Sequence, residues 1–470
     1  MKNMTLENMT KACGGTLLGG ADIKGLTEVI TKEAAGVVLD SRKVEQDFVF
    51  VATRGERVDG HRFIEEVFAK GAMAVVCEKL PEKGLYSGPC ILVEDSFEAL
   101  KRIGEFYRCQ LPVKVVGITG SVGKTSTKEF VASVLSQKYK VHKTQGNFNN
   151  EIGVPLTVLA MPEDTEVAVL EMGINHFGEM HNLSRIARPD LCIMTNIGQC
   201  HLEFLGSRAG ILQAKSEIFD FMAENGSVCV NGDDDMLITI DEVKGKKPVT
   251  FGRNGENAIY AENVVNKGLF GSEAVICGNG MRIPVQIPLP GEHMVYNALA
   301  AASAGFALGL SADEIAQGIA AVQATGGRSN IIRVNDQVVI DDCYNANPVS
   351  MMAALDLLAT ANGRKVAVLG DMFELGEQEN EMHARIGAYA VQKEIDCIIA
   401  AGDRCKYLCD AAEAERGENS VPEIRWFADR DTLMADLESL LQAEDTILVK
   451  ASNGMGYAKI VELLTAERNK

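Results

Sequence analysis

Val113-Lys-Val-Val-Gly-Ile-Thr-Gly-Ser-Val-Gly-Lys-Thr125 joins an apolar run to a glycine-rich turn, and a helical pattern over 126–137 follows it. The run over 113–118 has the near-continuous apolar character of a strand buried on both faces of a parallel sheet. Glycines let the backbone turn tightly enough for its N–H groups to face phosphate oxygens. The helix that follows adds its positive N-terminus. Lys124 is placed to reach β- and γ-phosphates, and the Thr125 hydroxyl to ligate Mg²⁺. The strict pattern G-x-x-x-x-G-K-[ST] needs glycine where the chain has Ile118, and Gly117 lies one residue early. The match is therefore to the shorter form Thr119-Gly120-Ser121-Val122-Gly123-Lys124-Thr125. A lone Gly-Lys-Thr reads equally as a structural turn. Its setting between a buried strand and a helix favours nucleotide binding. The nearest approach to a guanine-reading Asn-Lys-x-Asp, Asn266-Lys267-Gly268-Leu269, lacks the Asp, so ATP is the expected nucleotide.

On either side, strands and helices alternate. Strand patterns at 167–170, 191–195 and 227–230, with a helical pattern over 209–222, predict a doubly wound sheet. Residues 249–290 read as a β-rich insertion, followed by a helical stretch over 296–308. Before residue 111, short strand patterns at 36–39, 48–52, 74–77 and 90–93, with helical ones at 61–70 and 96–109, predict a small α/β domain. After Gly326-Gly327 the alternation restarts, with strands expected at 338–341, 365–369, 396–400 and 446–450 and helices at 348–361, 379–391 and 431–442. This third, Rossmann-like region has no GxGxxG in its first connection. The expectation is an α/β chain of three domains, 1–111, 112–326 and 327–470.

Composition excludes other classes. The 470 residues are 46% hydrophobic and 24% charged, an ordinary globular balance. A net charge of −19 makes a general nucleic-acid binder a poor reading, and any anionic ligand needs a locally positive pocket. The start has no apolar core of secretory-signal length, and the alanine-rich run over 298–310 is too short to span a bilayer, so no membrane insertion is expected. The 12 cysteines are scattered, with no CxxC and no His pair near Cys405 and Cys409 to complete a zinc site. Buried thiols in a reducing, cytoplasmic compartment are the expected outcome.

Further candidates lie beyond the turn. Glu171 ends a strand pattern, where parallel folds bind ligands, and suits a Mg²⁺ bridging phosphates or an ordinary strand-end carboxylate. His201 follows the next strand, as a cation ligand, a phosphate contact or a structural imidazole. Lys215, read from spacing, is a solvated helix-face lysine. Asn297 suits a helix cap or an adenine contact. Arg328, at the predicted junction, suits a γ-phosphate contact made on domain closure or a surface loop.

Together these stretches resemble the Mur ligase family, ATP-dependent amide-forming enzymes of peptidoglycan precursor synthesis. Besides the phosphate loop, the resemblance rests on Gly146-Asn147-Phe-Asn149-Asn150-Glu-Ile-Gly-Val-Pro155, Glu171-Met-Gly173 and Thr195-Asn-Ile-Gly198 with His201. At the front it rests on Asp40-Ser41-Arg42, Phe50-Val-Ala-Thr-Arg-Gly55 and Asp59-Gly60-His61, which resemble a UDP-sugar-binding domain. Asp341-Asp342-Cys-Tyr344-Asn345-Ala-Asn347-Pro348 and Gly370-Asp371-Met-Phe-Glu374-Leu-Gly376 are most similar to the branch that adds D-alanyl-D-alanine. The resemblance implies ATP and Mg²⁺ as cofactors and a UDP-N-acetylmuramoyl tripeptide and D-alanyl-D-alanine as substrates, handled by a monomer. It also implies a carbamylated Lys215 as a metal ligand beside Thr125, Glu171 and His201, and an adenine contact at Asn297. Arg328 would contact the γ-phosphate, and Asp342 the ribose or the interdomain linker. Ser41, Arg42, Asn147, Asn150, Tyr344, Asn345 and Asn347 are the implied substrate contacts. One departure stands out. The family's Lys-Gly-Ser-Arg is here Lys450-Ala451-Ser452-Asn453, so a contact made by that arginine is absent or supplied elsewhere. The Asp-Asn-Pro-Arg signature of the sister ligase that adds diaminopimelate is missing.

Overall fold

The computed structural model describes residues 1–19, 26–55, 58–80, 88–200, 202–418 and 420–466. Two compact units divide the chain: Met1–Ile118, Tyr139–Cys192 and Ser216–Gly226 form one, and Thr119–Lys138, Ile193–Lys215 and Ser227–Lys470 the other. The first unit contains a five-stranded sheet of β1 (Thr16–Leu18), β2 (Gly36–Val38), β3 (Phe48–Val51), β4 (Ala74–Cys77) and β5 (Cys90–Leu92), ordered β1-β5-β4-β3-β2. All neighbours run parallel except β1, which is antiparallel to β5. Phe50, Val67 and Val75 lie in its core. The helix Ser96–Gln110 that follows is capped by the Asp95 side chain, which accepts from the Glu98 N–H.

The central sheet has nine strands: β6 (Lys114–Thr119), β7 (Val141–Lys143), β8 (Val167–Glu171), β9 (Leu191–Met194), β10 (Ser227–Asn231), β11 (Val249–Gly252), β12 (Ile259–Asn266), β13 (Ser272–Gly278) and β14 (Met281–Ile287). Their order is β14-β13-β12-β11-β10-β9-β6-β8-β7. Val115, Val116 and Ile118 of β6 are buried, as its apolar run requires. The stretch read as a β-rich insertion is part of this sheet. β11 pairs parallel to β10 with Cys229 opposite Val249, β12 continues parallel, and β13 and β14 add an antiparallel edge. Alternating burial along β14 gave the stretch its separate look, since an edge strand keeps one face in solvent. The helix expected over 209–222 is shorter, Arg208–Ser216 followed by a 3-10 turn Glu217–Phe219. Glu217 is drawn away to accept the N–H groups of Gly178 and His181 at the start of the helix Glu179–Ala187. The alanine-rich stretch is a buried helix, His293–Ala307. Among the described residues no helix is long and apolar enough to cross a membrane.

The third sheet comprises β15 (Asn330–Val334), β16 (Gln337–Asp341), β17 (Lys365–Gly370), β18 (Cys397–Ala401), β19 (Glu423–Phe427) and β20 (Thr446–Lys450), ordered β15-β16-β20-β17-β18-β19. β15 is antiparallel to β16 and the other pairs are parallel. The last strand thus inserts between β16 and β17, and the carboxyl ends of β17 and β20 meet where parallel sheets open a ligand crevice. None of the 12 cysteines is in a disulfide, and Cys109 alone is exposed.

Candidate active site

The turn after β6 is shaped by two glycines. Gly120 has φ +151°, and a Cβ there would fall 2.0 Å from Thr195 Oγ1. Gly123 has φ +83° and precedes the helix Lys124–Leu135, whose N-terminus no side chain caps. The positive end of the helix dipole meets the turn there and favours negative charge.

A second loop, at the end of β9, pins the apex of the turn. Asn196 Oδ1 accepts the Val122 N–H at 2.9 Å, while its Nδ2 donates to the Val122 carbonyl at 3.0 Å. Thr195 Oγ1 donates to the same carbonyl at 2.7 Å. The Ser121 N–H donates to Asn196 O, and the Gly198 N–H donates to Ser121 Oγ. The second loop is itself held. Asp234 accepts the Ile197 N–H, and Arg208 donates to the Ile197 carbonyl while pairing with Asp235. Asn196 was quoted in the sequence motif but not placed in the site. Its clamp is a contact between residues far apart in the chain that no spacing announces.

Lys124 Nζ donates to the carbonyls of Gly120 at 2.8 Å and Ser121 at 3.3 Å, which keeps its ammonium over the turn. Thr125 is buried. Asn297 caps nothing, contrary to one expectation. It lies inside the helix His293–Ala307 whose N-cap is Glu292, and it accepts from Thr127 Oγ1 at 2.9 Å. Its Oδ1 lies 3.5 Å from where a Cβ on Gly123 would stand, so its amide borders the turn.

Lys215 overturns the solvated reading. It lies in the last turn of the helix Arg208–Ser216 at 1% exposure. Burial, with a smaller push from the Lys124 charge, brings its ammonium down to about 7. A buried lysine near neutrality exposes a nucleophilic amine.

In the first unit, the parallel register of β6 and β8 sets Glu171 opposite Ile118, just before the turn in the chain. Glu171 is 1% exposed and accepts from Asn149 Nδ2 at 2.8 Å, while its own N–H donates to Thr144 Oγ1. Asn149 thus steadies the carboxylate. Asn147 is exposed. Asn150 accepts the N–H groups of Ile152 and Gly153 at the start of a helix. Ser41 is buried, and its carbonyl accepts from Lys70. Arg42 is exposed and binds both oxygens of Asp40, whose carboxyl this arginine holds down at about 2. His201 lies outside the described residues.

Arg328 sits between Gly327 (φ +75°) and Ser329 (φ +48°), with its guanidinium 4.1 Å from the centre of the Tyr344 ring. Asp342 accepts the Ser329 N–H at 2.9 Å and Lys450 Nζ at 2.6 Å. Asn345 is exposed, and its carbonyl also accepts from Lys450. The Asn347 side chain caps the helix Pro348–Ala359 by accepting the Ser350 N–H. Asn453 donates to the Tyr344 carbonyl at 3.1 Å.

Among the described residues no three His, Cys, Asp or Glu side chains gather as a ready metal site. Thr125 in one unit and Glu171 in the other are each a buried oxygen donor of the kind a hard cation takes.

Comparison with known proteins covers the chain in three segments. Family models described as "Mur ligase family, catalytic domain", "Mur ligase middle domain" and "Mur ligase, glutamate ligase domain" match residues 33–103, 118–305 and 327–453. A UDP-N-acetylmuramoyl-tripeptide–D-alanyl-D-alanine ligase from Bacillus subtilis is 38% identical, covering 91% of this chain and 92% of its own. A crystal structure of MurF from Acinetobacter baumannii superposes with a TM-score of 0.88 at 30% identity, covering 98% of this chain and 99% of its own. MurF from Thermotoga maritima, solved with ADP, gives 0.79 at 29% identity over 92% of this chain and 97% of its own.

Proposed function

The chain belongs to the Mur ligase family, and from that premise we propose that it joins D-alanyl-D-alanine to a UDP-N-acetylmuramoyl tripeptide at the expense of ATP. The observation that carries this reading is a pinned phosphate turn with an uncapped helix start, inside a chain that matches such ligases along nearly its whole length. Residues 1–111 then form the UDP-sugar domain, 112–326 the ATP domain and 327–470 the domain that receives the dipeptide.

The terminal carboxylate of the tripeptide attacks the γ-phosphorus and ADP departs, leaving an acyl phosphate. The dipeptide amine attacks the acyl carbon, loses a proton, and inorganic phosphate leaves. The first step drives an anion onto an anion, so the protein must neutralise charge and align the reactants. Lys124 and the helix start hold the β- and γ-phosphates, Asn297 meets the adenine, and Arg328 approaches the γ-phosphate. Asp342 meets the ribose or the linker. Ser41 and Arg42 meet the UDP moiety, and Asn147 and Asn150 the peptide arm. Magnesium, when bound, offsets phosphate charge; following the family pattern its ligands are Thr125, Glu171, His201 and carbamylated Lys215. The low proton affinity of Lys215 supports the last. Its neutral amine adds to CO₂ and releases one proton, turning a cation into a carboxylate-like group.

ADP release measured with each substrate alone and with both tests the reading. Release is expected only when UDP-N-acetylmuramoyl tripeptide and D-alanyl-D-alanine are both present. ATP turnover without either substrate would mark an uncoupled ATPase, and release driven by folate and glutamate a different ligase.

A further inference from the structure

The residues around Arg328 do more than place it at a junction. Its backbone is tied to the end of β16 and the loop that follows on both sides. The Gly327 N–H donates to Asp341 Oδ2 at 2.8 Å, the Ser329 N–H to Asp342 Oδ1 at 2.9 Å, and the Tyr344 N–H to Gly327 O at 3.0 Å. Two left-handed residues flank the arginine, and a Cβ on Gly327 would come within 3.0 Å of the Tyr344 side chain. The guanidinium then lies over the Tyr344 ring, a face that attracts a cation and orients a planar one.

The platform under that ring is fastened from β20. Lys450, 2% exposed, donates to the carbonyls of Asp342 and Asn345 and to the Asp342 carboxylate. Asn453 donates to the carbonyl of Tyr344 itself. The loop 342–345 is thus gripped at Asp342, Tyr344 and Asn345, and the residue that departs from the family's pattern makes one of these contacts.

We propose that Tyr344 is a positioning residue that holds Arg328 as a preset finger for the γ-phosphate, and that Asn453 steadies the ring from below. The inference rests on the ligase reading given above. It assigns the phenyl face of Tyr344 to the arginine rather than to substrate. It also ties Arg328 mechanically to the third sheet, so that the arginine travels with that sheet's residues.

The test is a kinetic comparison of full-length variants, with ADP affinity as a control. Tyr344→Leu removes the aromatic face, and kcat is expected to fall about tenfold. ADP affinity stays within about twofold, because ADP has no γ-phosphate for Arg328 to meet. Tyr344→Phe keeps the face and is expected to recover most of the lost kcat. On an Arg328→Ala background, Tyr344→Leu should cost little more, since the ring acts through the arginine. Asn453→Ala should lower kcat in the same direction by a smaller factor, and it serves in the same cycle if Tyr344→Leu does not fold. Equal losses in Tyr344→Phe and Tyr344→Leu would assign the hydroxyl to substrate and overturn the proposal. So would full additivity with Arg328→Ala. If the parent enzyme releases no ADP with both substrates, the ligase reading itself falls, an outcome separate from any of these.

Discussion

Two turns leave the carboxyl ends of buried parallel strands in this protein, and they lead into the helices behind them in different ways. After β6, glycines make the bend, the outer amides of Ser121 and Val122 are tied to Asn196, and the helix start behind them has no side-chain cap. After β17, the bend Asp371–Glu374 is closed by its surroundings. His383 Nε2 accepts the Met372 N–H, Ser452 Oγ accepts the Phe373 N–H, and Asp371 accepts the Cys405 N–H at the start of the helix Cys405–Arg416 that follows β18. Both turns commit apex amides and neither following helix has a side-chain cap, but the first passes from Gly123 straight into its helix at Lys124, while a 3-10 turn, Gly376–Gln378, separates the second from the helix Glu379–Gln392. A shared strand-to-helix topology therefore does not make a phosphate site. A glycine turn that opens directly into a helix start does.

Substitutions in the first turn and its neighbours should cut function most. Lys215→Ala should lower ligation on the order of a thousandfold, and added short carboxylic acids should restore part of it. Full activity in that variant would remove Lys215 from the mechanism. The parent enzyme should also lose activity as pH falls through about 7, because the protonated amine does not add CO₂; a pH–rate profile at fixed bicarbonate checks this. Asn196→Ala frees the Val122 N–H, leaves the carbonyl to Thr195 alone, and should weaken ADP binding about tenfold by calorimetry. Unchanged affinity would mean that the clamp does not shape the site.

The second turn should respond in stability instead. His383→Ala orphans the buried Met372 N–H and should cost about 1–3 kcal/mol in denaturant unfolding, with ADP affinity intact. Burial pushes His383 below its ordinary value of 6.5, despite favourable nearby groups. The unfolded chain therefore takes the proton first, so this contribution is complete above pH 6.5 and is lost as pH falls toward the folded value. His383→Gln should flatten that acid slope in melts taken across the range. Ser452→Ala should cost the least, about 1 kcal/mol. A fall in ADP affinity in either His383 or Ser452 variants would erase the contrast between the turns.

Much of the architecture was legible in the sequence because strands buried on both faces must be apolar throughout. β6, β8, β17 and β20 fall within a residue or two of their expected spans. β15 was not foreseen, since an edge strand carries polar residues such as Asn330 and Arg333 and leaves no such run. The stretch after β10 was misread as separate, because only pairing with β10 reveals that β11 continues the same sheet. The positions of Lys124 and Thr125 behind a strand-end turn, and of Glu171 at a strand end, were readable from the apolar runs before them. Lys215 gave no sign of its burial, because helical spacing cannot tell which face a distant segment will cover.

By itself the sequence settled where the chain bends and what chemistry the bends carry: glycines that tolerate positive φ, a lysine and threonine behind them, a carboxylate at a strand end. The folded structure alone decided which of those groups are buried, paired or held. Asn196 on Val122, Tyr344 under Arg328 and Lys450 on Asp342 each join residues more than 15 positions apart, some more than 70. Local preference acts through neighbouring dihedrals and fades within a few residues. Burial and hydrogen-bond partnership belong to whatever the rest of the chain brings alongside.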